Sequence, residues 1–128
     1  MHAMLPIVSG KEASMETLEK ISKGIKKMTV LIVVDTEIHK TSYEATSFLS
    51  EAQKAAEEIC EFFGKKRKSC EVIVEWGNLV NKIDRNARLK GVKKVLIVEQ
   101  ENDAMKKAIE ELKKKKEYLI ETIKAKES

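Results

Sequence analysis

The chain has 128 residues, 42% hydrophobic and 36% charged, with 25 Lys and Arg against 21 Asp and Glu for a formal net charge of +4. That length suits one domain with its own core rather than two, and charges so evenly matched exclude a polybasic arm. No apolar run approaches the ~18 residues of a membrane span and no secretory signal is apparent, so a cytoplasmic protein without a membrane anchor is expected.

Lys and Glu dominate the charge, beside one Pro and one Trp, a balance of the kind enriched in hyperthermophile proteins. Residues 1–3 read as an alternative start or leader remnant, which leaves 4–128 as the domain. Residues 5–8, Leu-Pro-Ile-Val, read as a short buried strand that stops at Ser9 and Gly10. With Ser9 as N-cap, Glu12 falls at N3 and completes a capping box. Met15, Leu18, Ile21 and Ile25 then share one helical face, and Glu16/Lys20 and Glu19/Lys23 form i,i+4 pairs on the other.

Residues 28–34, Met-Thr-Val-Leu-Ile-Val-Val, lack alternation, as a strand buried on both faces of a parallel sheet does. The run ends at Asp35, and Thr41 with Glu44 forms a second capping box. The helix that follows is apolar at Phe48, Leu49, Ala52, Ala56, Ile59, Cys60 and Phe63, with Gly64 as its stop. Residues 70–74 make a third strand, and Asn78 caps a helix carrying Leu79, Val80, Ile83 and Ala87. Gly91 breaks that helix before a fourth strand at 95–98. Asn102 or Asp103 caps a last helix with Ala104, Met105, Ala108, Ile109 and Leu112. Residues 118–123 either continue it, with Leu119 and Ile123 in phase, or form a fifth strand.

This alternation predicts a single-domain, Rossmann-like α/β fold: an open parallel sheet of four or five strands, right-handed crossovers, and helices on both faces. A ligand on such a sheet lies at the carboxyl ends of the strands.

Chemistry is sparse. Gly10-Lys11 lacks the upstream Gly and following Ser or Thr of a P-loop, and neither GxGxxG nor GxSxG occurs. His2 sits in the leader and His39 in a polar loop. Asp35, Glu75 and Glu99 end strands, but a Mg²⁺ pocket wants two acids after one strand, so they read as loop or helix-dipole carboxylates. Cys60 and Cys70 have no metal-ligand spacing. They read as buried reduced thiols, a disulfide requiring their backbones to approach. The basic runs 65–68 and 113–116 read as a solvated loop and a helix end, since no aromatic residues interleave with them. No catalytic residue, metal, cofactor or nucleic-acid partner is expected.

The opening Leu5-Pro6-Ile7-Val8-Ser9-Gly10-Lys11-Glu12-Ala13-Ser14 resembles that of universal stress proteins, in which an apolar strand with a Pro runs into Val-Asp-Gly-Ser-x-x-Ser and a helix. Val30 to Asp35 is similar to that family's second strand, the helix ending near Gly64 to its second helix, Glu75-Trp76-Gly77 to the Gly after its third strand, and Val95 to Val98 to its fourth strand. The resemblance implies a crevice lined by Val8, Ser9, Gly10, Val34, Asp35, Gly77 and Glu99, and a homodimer paired through a final strand at Tyr118, Leu119, Ile120 and Ile123. Two departures bear on function. Ser9 stands where nucleotide-binding members carry Asp, and Glu99-Gln100-Glu101-Asn102-Asp103 stands where they carry Gly-x-x-Gly and, further on, Gly-Ser/Thr. Acidic residues in place of a Gly-rich nest disfavour phosphate. The expectation is therefore a non-enzymatic, non-ATP-binding module acting in a stress response as a homodimer or on an unidentified protein partner. The alternative is a small-ligand or nucleotide-binding protein using the crevice.

Overall fold

In the computed structural model strands and helices alternate as β1 (His2–Ile7), α1 (Met15–Ser22), β2 (Lys27–Val34), α2 (Ser42–Lys65), β3 (Ser69–Trp76), α3 (Leu79–Lys90), β4 (Lys94–Glu99), α4 (Asp103–Lys113) and β5 (Leu119–Lys124). Residues 1–8, 10, 12–99, 103–115 and 117–124 are described. The five strands are all parallel, in the order β3-β2-β1-β4-β5. Leu18, Ile59 and Phe63 of α1 and α2 pack on Leu5, Val30 and Ile32 of one sheet face. Ile83, Met105 and Leu112 of α3 and α4 pack on Met4, Leu31 and Val95 of the other. β2 is apolar on both faces because both are covered.

The structure corrects several expectations. His2 and Ala3, set aside as leader, belong to the central strand, where Ala3 is fully buried and pairs with Met28 and Lys94. The cap of α1 is Ser14, whose Oγ accepts from Thr17 N at 3.3 Å, so Glu12 lies before the helix and makes no capping box. Ser9 lies outside the described residues. Met15, the first residue of this two-turn helix, is 62% exposed, and Ile25 is buried beyond its end. α2 passes through Gly64, and the left-handed residue after it is Arg67, at φ 59°. Residues 118–123 resolve as strand, with β5 beginning at Leu119 and pairing with β4 in parallel.

Cys60 and Cys70 form a disulfide, their Cα atoms 5.2 Å apart, rather than free thiols. α2 runs back along the sheet and lays Cys60 over the start of β3, an approach invisible in the separation of 10 residues.

α3 is fastened to both ends of the sheet. Lys82 pairs with Glu75 and Lys90 with Glu71 of β3, at 3.3 and 3.2 Å. Arg88 pairs with Glu117 at 3.3 Å, and the Tyr118 hydroxyl donates to Asp84 at 2.6 Å. Burial, and then that bond, push the Tyr118 phenol above its ordinary value. At the opposite side the Thr29 hydroxyl donates to Glu71 at 2.8 Å and is hydrogen-bonded to His2 Nε2 at 2.7 Å. The Thr29 bond, aided by Lys90, holds the Glu71 carboxyl below its usual value, and burial holds the His2 imidazole low.

Candidate functional site

The carboxyl ends of the strands bring together Val8, Gly10, Val34, Asp35, Gly77 and Glu99, the described members of the expected crevice. Val8 continues β1 and is 7% exposed; Val34 ends β2 and is fully buried. Glu99 ends β4, exposed, opposite Lys124 of β5. Gly77 follows β3 and returns its N–H to Val34 O at 3.0 Å.

Asp35 is 6% exposed and both its carboxylate oxygens are engaged. Oδ1 accepts from Glu37 N at 2.9 Å, and Oδ2 accepts from Leu79 N, the first residue of α3, also at 2.9 Å. A helix N-terminus carries free N–H groups and a partial positive charge, and is a ready site for an anion. Here the chain supplies the anion itself. Asp35 O in addition accepts from Ile38 N and His39 N.

Glu12, fully buried, repeats the device at β1. Its Oε2 accepts from Val8 N at 2.8 Å, just past the last residue of the strand. Sequence reasoning placed this carboxylate in a helix cap. The misplacement came from taking the first polar residue after the strand as the N-cap when the turn runs on to Ser14, and a charged residue between Gly10 and Ala13 offered no periodic signal. The neighbouring N–H groups are occupied too: Glu44 N by Thr41 Oγ1, Lys40 N by Glu44 Oε2 and Asn81 N by Asn78 Oδ1, each at 3.0 Å.

Both crevice glycines are overlain by their own chain. Gly10 has φ +85°, and a Cβ there would stand 3.1 Å from Glu51 Cβ of α2, so the turn lies directly on that helix. At Gly77, with φ +145°, a Cβ would stand 2.8 Å from Lys82 Cε, whose side chain crosses the glycine to reach Glu75. Among the described residues a shallow hollow of about 300 Å³ is lined by Val8, His39, Tyr43, Phe48 and Glu51. His39 stacks on Phe48 with ring centroids 4.1 Å apart. Burial lowers the His39 pKa, against the opposing charges of Asp35 and Glu44, so the imidazole favours its neutral form. Among the described residues no group of three His, Cys, Asp or Glu could hold a metal ion, and no helix is long and apolar enough to cross a membrane.

At the far end of the sheet the expected interface residues separate. Tyr118 is buried, held by Asp84, and so lies inside the domain rather than on its edge. Leu119 is 68% exposed, and Ile120 and Ile123 are half-buried on opposite faces of β5.

Strand order and parallel pairing define a single-domain protein with a Rossmann-like α/β fold. Solved structures share it at low identity. The hypothetical protein MJ0577, the subject of a structure-based assignment of biochemical function, matches with a TM-score of 0.73 at 18% identity, over 99% of this chain and 97% of its own. The hypothetical protein PH0823 matches with a TM-score of 0.64 at 20% identity, again over 99% and 97%. No family model matches the chain, and no curated protein matches it.

Proposed function

We propose that this chain is a non-catalytic, universal-stress-protein-like module that binds no nucleotide and acts in a stress response as a homodimer formed through β5. The observation that carries the first half is the occupancy of the crevice by the chain's own anions. Asp35 holds the N-terminus of α3 and Glu12 holds the N–H beyond β1. A triphosphate placed there would have to displace buried carboxylates and would face Glu99 and Asp103 at the next strand end. Titration with ATP and Mg²⁺ by calorimetry is expected to show no binding tighter than about millimolar, a free energy near 4 kcal/mol. A micromolar dissociation constant defeats this half of the reading.

The second half is supported by the bareness of β5. It bonds to β4 on one side only, and Leu119 points its apolar side chain into solvent. Edge strands left in this state invite pairing, and an isologous two-fold contact closes it. Sedimentation at tens of micromolar, roughly the range in which such contacts form, is expected to give a dimer, and Leu119→Lys a folded monomer. A monomeric parent protein, or a variant as dimeric as the parent, refutes it. The ligand-binding alternative rests on the 300 Å³ hollow beside His39 and Phe48, and mass spectrometry of undenatured protein for a co-purified molecule separates the two readings.

A further inference from the structure

Because all five strands are parallel, every helix ends and every strand begins along one edge of the sheet. The two basic runs noticed in the sequence therefore lie at opposite ends of this edge, with the connections from α1 to β2 and from α3 to β4 between them. Backbone bonds knit this edge into a row: Ser69 N to Lys26 O, Lys26 N to Met1 O, Lys93 N to His2 O and Leu119 N to Lys93 O, between 2.9 and 3.1 Å. Arg67, Lys26, Lys93 and Lys115 stand just before β3, β2, β4 and β5, with Lys113 at the end of α4. Neighbouring strands lie about 4.8 Å apart, so the row is roughly 20 Å long.

These five cations are exposed and make no ion pair among the described residues. Nearby Lys65, Lys90 and Lys94 are by contrast tied to Glu61, Glu71 and Glu121. The opposite edge carries Glu37, Glu44, Glu99 and Asp103. The opposite edge also carries the exposed Lys40 and Lys124, so its charge is mixed where the first edge presents a row of cations. Lysines at helix ends do complement the helix dipoles, but that alone does not account for Lys26, Arg67 and Lys93, which lie outside the helices.

The geometry points to the basic edge as a docking surface for the phosphate backbone of double-stranded nucleic acid, without sequence preference. A duplex presents about one charge per 1.7 Å, so 20 Å of it offers on the order of ten phosphates to the row. A single strand would want aromatic platforms for its bases. The aromatic residues here offer none: Tyr118 is buried against Asp84, and Phe62 is half-buried with Lys66 4.9 Å above its ring. Four of the five cations are lysines, compact charges suited to phosphate rather than to bidentate reading of bases.

The test is fluorescence anisotropy of the full chain with a labelled random-sequence DNA duplex between 50 and 200 mM salt. Binding in the micromolar to 0.1 mM range is expected, with log K falling against log salt at a slope of about −3 to −5 for four or five phosphates. Lys26→Gln with Lys93→Gln should reduce that slope by about 2, while Lys40→Gln on the other edge leaves it unchanged. Neither Lys26 nor Lys93 lies in β5, so this outcome is independent of dimer formation, and circular dichroism confirms that the variant is folded. No binding at about 0.1 mM protein in 50 mM salt, a slope the double variant does not change, tighter binding to the single strand, or tighter binding to phosphatidylserine vesicles each overturns the proposal.

Discussion

Asp35→Ala is expected to destabilise the fold by about 3–6 kcal/mol, since hydrogen bonds to a charged group contribute roughly 1.5–3 kcal/mol each and two are lost. The carboxylate joins the end of β2 to its own loop through Glu37 N and to the start of α3 through Leu79 N. Its removal leaves both donors without their acceptor and uncovers the positive end of a helix. For a domain of this size the melting temperature should fall by more than roughly 10 °C. Asp35→Asn, which keeps one carbonyl oxygen, should lose about half as much. Sulfate should restore stability to the Ala variant more than to the parent, because the vacated helix terminus then takes an external anion. A loss below about 1 kcal/mol in urea unfolding would show that Asp35 does not hold this corner.

Reduction of the Cys60–Cys70 disulfide is expected to cost about 3 kcal/mol. The bond spans 10 residues of sequence, and closing a loop of this length removes that much entropy from the unfolded chain in the simplest treatment. Thermal melts with and without dithiothreitol measure it, and Cys70→Ser should match the reduced protein. Equal melting temperatures in the two conditions would refute the stabilising role. Thiol titration of the denatured, unreduced protein should then find no free cysteine.

How much of this was legible in the sequence follows from the physics of each signal. The continuous apolar runs at β2 and β4 and the caps at Thr41 and Asn78 are local, and they announced the architecture and most boundaries. The order of strands, and so which are edges, depends on pairing between distant segments. Val72, Val74 and Trp76 of β3 are 43%, 39% and 55% exposed, as an edge strand allows. His2 and Ala3 looked dispensable because a strand's first residues carry no periodic signature. At the strand ends, the chemistry of Asp35 and Glu12 rests on backbone N–H groups, which no side-chain pattern encodes. The alignment of the basic connections along one edge was hidden for the same reason: it is a property of parallel topology, and the clusters are far apart along the chain.

Among the described residues, β1 is matched to β2 over six positions but to β4 over only Ala3↔Lys94 and Met4↔Val95. The sheet is thus two leaves, β3-β2-β1 and β4-β5, sewn together by a short stitch at one end. Above the stitch the two leaves are joined by side-chain packing, Leu5 and Ile7 with Leu96 and Val98 in one cluster and Met4 and Val8 with Ile97 in the other. α3 straddles the junction like a clasp, bonded to Glu71 and Glu75 on one leaf and, through Arg88 and Asp84, to Glu117 and Tyr118 beside the other. A force that prises the leaves apart must therefore strip that helix of its ion pairs before the crevice can gape.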